Sequence, residues 1–251
     1  MKNSSLRKVV LVTGGAGEIG SAICRKFAEN GFDVIITYNS NSQKAEALLS
    51  TLPEGNHTIF HAPNTDAEKV NALKHFVAEK YGKLDVLVNN AGITTPVAHE
   101  DLEALTDEWI DKIMQTNFRG TFAMNRAFKD LLMKSEEDTA LIVNISSIAG
   151  IYGIGSNVAY CASKSAIDSM TRSLGRALAP KIRVVSVSPG FVEGEYTKNF
   201  DPAFLQNQKE NTPLGRFAVN EDVANAVFAV ATQLTFSTGN IITVDGGRLL
   251  K

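Results

Sequence analysis

The chain has 251 residues, and 25 lysines and arginines stand against 27 aspartates and glutamates, a formal net charge of -2. That balance leaves no electrostatic footprint for nucleic acid or an anionic membrane as partner. Hydrophobic content of 44% with no run of eighteen apolar residues excludes a membrane-spanning helix, and the apolar run after MKNSSLRK is too short for a signal-peptide core, so a cytoplasmic location is expected. No linker-like stretch divides the sequence, so residues 1–251 are expected to form a single domain around one large core.

Short β-branched runs alternate with amphipathic stretches along the chain. Residues 9–12 (VVLV) read as a buried strand and 19–29 as a helix with Ile19, Ile23 and Phe27 on one side. Strand 34–37, helix 43–52, strand 58–60 and helix 68–80 follow, then strand 84–88, a long helix over 106–133 and strand 141–145. A second long helix over 158–179, strand 184–187, helix 221–232 and strand 241–244 complete the series. This alternation predicts an α/β fold, a doubly wound, Rossmann-like parallel sheet of about seven strands with helices on both faces. Such sheets bind ligands outside the carboxyl ends of their strands, where strand order reverses.

Four motifs fall at those ends or in the helices beside them. TGGAGEIG, Thr13 to Gly20, directly follows the first strand. Its glycines allow a tight turn and close backbone approach to a pyrophosphate, whose charge free N–H groups and the positive end of a helix would meet; a ligand-free turn uses glycines too. NNAG, Asn89 to Gly92, follows the fourth strand and leaves room for a flat ring and ribose, or forms a simple turn whose asparagines tie strands together. Asn117 and Gly120 lie inside the long helix TDEWIDKIMQTNFRGTF, where each lowers stability relative to alanine, so Asn117 is expected to be buried and to hydrogen-bond either the core or a water. Finally, Ser147 ends an apolar run, and Tyr160 and Lys164 stand four residues apart at the start of a helix, on one face. A phenol is a poor acid or base at neutral pH, and a neighbouring ammonium favours its ionised form, so the pair suits proton transfer.

In this order the glycine turn, NNAG, the mid-helix Asn, Ser and YxxxK resemble the short-chain dehydrogenase/reductase family over residues 8–247. NNAGIT, PGFVE and TGNIITVDGG are most similar to the 3-oxoacyl-(acyl-carrier-protein) reductases and related carbonyl reductases. The resemblance implies an NAD(P)-dependent oxidoreductase with Asn117, Ser147, Tyr160 and Lys164 as its catalytic four. Ser147 is preferred to Ser146 because the family's serine stands thirteen residues before its tyrosine, and 160 − 147 = 13. Tyr160 would exchange a proton with the substrate oxygen, Ser147 would polarise it, Lys164 would hold the nicotinamide ribose, and Asn117 would position a relay water. Cofactor contacts are implied for Gly14, Gly15, Gly17, Glu18, Ile19 and Gly20; for Tyr38, Asn39, Ser40 and Asn64; for Asn90, Ala91 and Gly92; and for Tyr160, Lys164, Pro189, Gly190 and Val192.

The departures from that pattern bear on the cofactor. Glu18 stands at the family's middle glycine, giving TGxxGxxG, and a carboxylate there repels a pyrophosphate unless turned away. No acid follows the second strand, only Tyr38, Asn39 and Ser40, which favours NADP(H) with Asn39 and Ser40 as donors to its 2′-phosphate; the nearest cation is Lys44, and NAD(H) stays open. Pro63 replaces an aspartate beside the adenine, and Gly194 a threonine that contacts the carboxamide, leaving Thr197 as a substitute.

For the substrate, residues 190–216 carry Phe191, Tyr196, Phe200, Phe204 and Leu205, read equally as an apolar lid or as a loop with its own hydrophobic cluster. Glu136, Glu137 and Asp138, opposed near the second long helix's end only by Lys181, would repel an acidic acyl carrier protein, so a small ketone, aldehyde or secondary alcohol rivals an acyl thioester as substrate. A non-catalytic nucleotide-binding regulator is the reading of a different class. The histidines at 57, 61, 75 and 99 show no metal-ligand spacing, Cys24 and Cys161 are expected as reduced thiols, and Trp109 and Met114 as packing residues. Ala159, Ala162 and Ala166 suit close helix packing, and the resemblance implies a homotetramer.

Overall fold

The computed structural model describes residues 7–250. Its central strand, β1 (Val9–Val12), is buried along its whole length. Successive side chains of a strand point to opposite faces, so Val10 and Val12 enter one core while Val9 and Leu11 enter the other. Beside β1 lie β2 (Asp33–Tyr38) and then β3 (Thr58–His61); the chain returns to the opposite side of β1 for β4 (Val86–Asn89), β5 (Ala140–Ile145), β6 (Ile182–Pro189) and β7 (Ile241–Val244). The order is β3-β2-β1-β4-β5-β6-β7 and every pairing is parallel. Strand order therefore reverses between β1 and β4, which opens a crevice at their carboxyl ends.

The helices are α1 (Glu18–Glu29), α2 (Ser42–Thr51), α3 (Ala67–Tyr81), α4 (Asp107–Met114), α5 (Thr121–Met133), α6 (Ala149–Tyr152), α7 (Val158–Ala177), α8 (Pro202–Glu210) and α9 (Asn220–Thr232). On one face α1 and α9 meet through Phe27, whose ring lies edge-on to Phe32 at 4.9 Å and to Phe228 at 5.3 Å. On the other, α3 and α5 bury Val70, Leu73, Val77, Phe128 and Leu132, with Leu174 of α7 beside them. Burial of that extent, at about 25 cal/mol per Å² of apolar surface, supplies most of the free energy that holds the helices to the sheet.

The long helix expected over 106–133 is not continuous. Gln115–Gly120 forms a π-helical turn between α4 and α5, a geometry that frees backbone carbonyls from their usual partners. The Thr116 carbonyl accepts from Asn64 Nδ2 at 3.0 Å, so a residue of the loop after β3 bonds the turn. Gly120 makes room for it: a Cβ there would sit 2.5 Å from Asn64 Cγ. The second long helix stops at Ala177 rather than 179. Short helices α6 and α8 and the 3₁₀ turn Glu195–Asn199 have no counterpart in the sequence reading, although Asp201 and Pro202 carry the usual start signal: the Asp201 carboxylate accepts from Ala203 N and Phe204 N.

Gly120→Ala sets two effects against each other. Alanine gains about 1 kcal/mol of helix propensity, whereas overpacking against a buried amide costs about 1–3 kcal/mol. The expected outcome is a lower urea midpoint; a higher one would mean that Asn64 yields freely.

Candidate active site

The glycine turn and the NNAG turn meet at one hydroxyl. Thr13 Oγ1, at the end of β1, accepts from Asn90 N at 2.9 Å and Ala91 N at 3.0 Å, while Asn90 Nδ2 donates back to the Thr13 and Gly14 carbonyls. Gly14 has φ +61, and a Cβ on Gly20 would lie 2.3 Å from Gly14 O, so both positions need glycine. Gly17 caps α1 without a side chain, leaving first-turn N–H groups at the crevice. A compact turn, uncapped N–H groups and a helix N-terminus fit the pyrophosphate of a dinucleotide. Asn89 ties strands instead: its Nδ2 donates to Asn125 Oδ1 at 2.7 Å and Asn144 Oδ1 at 2.9 Å.

Asn117, 2% exposed in the π turn, clamps the chain beyond NNAG. Its Oδ1 accepts from Ile93 N at 2.8 Å, and its Nδ2 donates to Ile93 O and to Ser163 Oγ of α7, both at 3.0 Å. Both amide donors are thus engaged, so a relay water would use the second lone pair of Oδ1 or the main-chain carbonyl, which accepts from Thr121 Oγ1 at 2.7 Å.

The serine comes from the chain just after β5, the tyrosine and lysine from α7. Ser146 is buried, with its hydroxyl on the Lys164 carbonyl at 3.2 Å, whereas Ser147 is half-buried and accepts from Ala149 N at 3.2 Å. Tyr160 is half-buried in the first turn of α7. Lys164 is 6% exposed; its ammonium donates to Ile145 O at 2.8 Å and lies 5.5 Å from the centre of the Tyr160 ring. A Cβ on Gly92 would come within 3.3 Å of Asn117 Oδ1 and 3.6 Å of Lys164 Nζ, which puts the NNAG turn against both. Burial pulls the Lys164 pKa down to about 8, with the charge of Asp168, one turn on, opposing the fall. Asp168 is itself raised by burial, against a hydrogen bond from Ser186 Oγ at 2.9 Å and the charges of Arg172 and Lys164.

Asn157 is a positioning residue absent from the sequence reading. Fully buried, it caps α7 by accepting from Tyr160 N at 2.7 Å and donates to the Thr95 carbonyl at 2.7 Å, fixing the tyrosine's turn against the loop after NNAG. An asparagine directly before a helical pattern was the available signal.

Sequence comparison agrees with the geometry. A family model described as enoyl-(acyl carrier protein) reductase matches residues 14–248. The 3-oxoacyl-(acyl-carrier-protein) reductase FabG of Rickettsia felis is 36% identical over 245 residues, 97% of each chain, and that of Thermotoga maritima 33% over 248 residues, 97% of this chain and 98% of the other. A crystal structure of a short-chain dehydrogenase/reductase from Burkholderia xenovorans superposes with a TM-score of 0.91 at 31% identity, covering 99% of this chain and 100% of that one. The chain belongs to the short-chain dehydrogenase/reductase family. It is an NAD(P)-dependent oxidoreductase similar to 3-oxoacyl-(acyl-carrier-protein) reductases, and its cofactor is a nicotinamide dinucleotide.

As a short-chain dehydrogenase/reductase, the protein gives the outer positions named from the sequence different surroundings. The Asn64 side chain donates one amide hydrogen to the Thr116 carbonyl at 3.0 Å. Thr197 is buried, its hydroxyl bonded to the Gly194 carbonyl at 2.6 Å. Tyr38 ends β2 with its ring 5.5 Å from His61, and Asn39 and Ser40 are exposed. Pro189 ends β6, Gly190 follows it, and Val192 is buried beside Ala218. The aromatics after β6 pack on one another: Phe191 stacks on Phe217 at 4.4 Å, and Phe200 lies 5.4 Å from Phe204.

The acidic run is also less bare than its sequence suggests. Glu137 pairs with Lys8 at 2.7 Å and Glu136 with Lys83 at 3.6 Å, while Lys181 donates to the Ser135 and Glu137 carbonyls. Lys181 is therefore joined there by Lys8 and Lys83. Both cysteines are free and buried, and among the described residues no group of three or more His, Cys, Asp or Glu could hold a metal ion. Among them, too, no helix is long and apolar enough to cross a membrane.

The depressed lysine has a pH signature. The unfolded chain holds the Lys164 proton up to about 10.5 and the folded chain only to about 8, so the burial penalty is complete below pH 8 and lifts as pH rises through that window. Lys164→Met is expected to exceed the parent in stability most at pH 7, and to lose roughly 2–3 kcal/mol of that advantage by pH 10 in urea titrations. An advantage that stays constant with pH would contradict a charged, buried Lys164.

Proposed function

We propose that the protein reduces the ketone of a 3-oxoacyl thioester, with Tyr160 as proton donor. The observation that carries this reading is the buried Lys164 ammonium, held between Gly92 and the Tyr160 ring at the carboxyl ends of β4 and β5. The nicotinamide dinucleotide supplies the hydride. The N–H groups of α1 and the turn Gly14 to Gly20 would hold its pyrophosphate; Asn90, Ala91 and Gly92 would line the ribose and ring; and Lys164 would hold the ribose hydroxyls. Ser147, half-buried beside the more deeply engaged Ser146, donates its hydroxyl to the substrate oxygen as negative charge grows there, and Tyr160 delivers the proton. Asn117 keeps Ile93, and with it the NNAG turn, against α7.

NADP(H) is the proposed cofactor, since the end of β2 offers Tyr38, Asn39 and Ser40 and no carboxylate to repel a 2′-phosphate. An acyl carrier protein remains a fitting donor of the substrate because lysines meet two of the three acids after α5. Small ketones remain the rival, supported by the self-packed aromatic cluster over residues 191–217. By likeness to its relatives we also read the protein as a single-domain cytoplasmic homotetramer with a substrate lid over 190–216.

Two measurements test these assignments. Tyr160→Phe is expected to lower kcat by at least about 10²-fold, as loss of a general acid does, while the dissociation constant for reduced cofactor changes by less than about threefold; a variant retaining most activity would remove Tyr160 from its role. Tyr38→Asp is expected to shift the NADPH-to-NADH ratio of kcat/KM toward NADH by about tenfold or more, the scale of one close charge repulsion. Running both cofactors against a 3-oxoacyl thioester and a panel of small ketones identifies the substrate class, and activity confined to the ketones would overturn the thioester reading.

A further inference from the structure

Two departures from the family pattern, far apart in sequence, meet in space. Glu18 projects from the first turn of α1, and its Oε1 accepts from the backbone N–H of Glu195 at 2.8 Å, across 177 residues. Gly194 lies directly beneath the other carboxylate oxygen: a Cβ there would approach Glu18 Oε2 within 2.3 Å. Gly194 has φ -172, an extended backbone that any residue adopts, so the carboxylate and not the backbone is what favours glycine at this position. The segment it holds is built to be held, because Thr197 bonds both the N–H and the carbonyl of Gly194, fixing 194–197 as one unit that presents the Glu195 N–H.

We propose that Glu18 is a positioning residue that clasps the segment after β6 over the glycine turn, coupling closure of that segment to cofactor binding. The carboxylate has two destinations. With the segment closed it is drawn to the Glu195 N–H; with the segment open it is released beside the uncapped N–H groups of α1, where it competes with a pyrophosphate for the same donors and repels it. Closure therefore clears the anion site, and by linkage an occupied anion site favours closure. The coupling rests on the dinucleotide reading above; the clasp does not.

Hydrogen exchange of the Glu195 amide, read with and without NADPH, tests this in the parent protein, Glu18→Ala, Gly194→Ala and the double variant. Because a Cβ at 194 meets only the far end of a flexible side chain, Gly194→Ala is expected to fold normally yet dislodge the clasp. Each single variant should speed exchange of the cofactor-free protein about 3- to 10-fold, the scale of one exposed charge-assisted hydrogen bond, and the double variant should be no faster than Glu18→Ala alone. NADPH should slow that exchange in the parent more than in Glu18→Ala. Unchanged exchange in Glu18→Ala, or multiplicative effects in the double variant, would overturn the clasp. Failure of NADPH and NADH to bind the parent would instead sink the dinucleotide reading and the coupling with it, while the cofactor-free exchange pattern still decides the clasp.

Discussion

An ammonium in the protein interior is the constraint on which the site depends. Lys164 is 6% exposed and reaches one carbonyl, that of Ile145, at the very end of β5. A buried charge persists only where hydrogen bonds and neighbouring charge make up for lost water. Here the carbonyl comes from the sheet, the opposing charge from Asp168 one turn along α7, and the remaining donors of the ammonium are left for the crevice. That arrangement fixes the rotation of α7 about its axis. Tyr160, four residues before Lys164, is then carried to the same side, and a Cβ on Gly92 would crowd Asn117 Oδ1 at 3.3 Å where the NNAG turn meets the lysine.

The supports around the lysine are mostly amides and hydroxyls that join elements distant in sequence. Thr13 binds the turns after β1 and β4 into one unit, Asn117 fastens the chain beyond NNAG to α7 through Ser163, and Asn157 starts α7 at the correct residue. Each bond is worth only about 1 kcal/mol net, but leaving its buried partner unsatisfied costs more. The network therefore contributes to uniqueness of geometry more than to stability, which the apolar layers around Phe27 and Phe128 dominate.

Most of this was readable from the sequence because the signals were periodic or local. β1 and β7 fall on the residues the β-branched runs mark, and α1, α2, α3, α7 and α9 differ from expectation by a residue or two at their ends. What escaped was non-local. Nothing in QTNFRG announces a π turn, and the side chain that bonds its Thr116 carbonyl, Asn64, stands more than fifty residues earlier. Lys181 looked isolated beside Glu136 and Glu137 because Lys8 and Lys83 approach from elsewhere in the fold. Glu18 and Gly194 read as two separate losses until their atoms were seen in contact. Asn157 and the Asp201-Pro202 start of α8 are different: their capping signals stand in the sequence, and the rules for helix starts recover them.

The π turn has one more effect, on phase. An added residue in a helical ladder turns everything beyond it by about 100°. Upstream of the slip α4 leans on α7; downstream, α5 leans on α3 and on strands β4 and β5. A straight rod would have to choose between these neighbours. By losing step once, at the position where Asn117 enters the crevice, a single stretch of chain serves as a brace for the tyrosine helix at one end and as a cover for the sheet at the other.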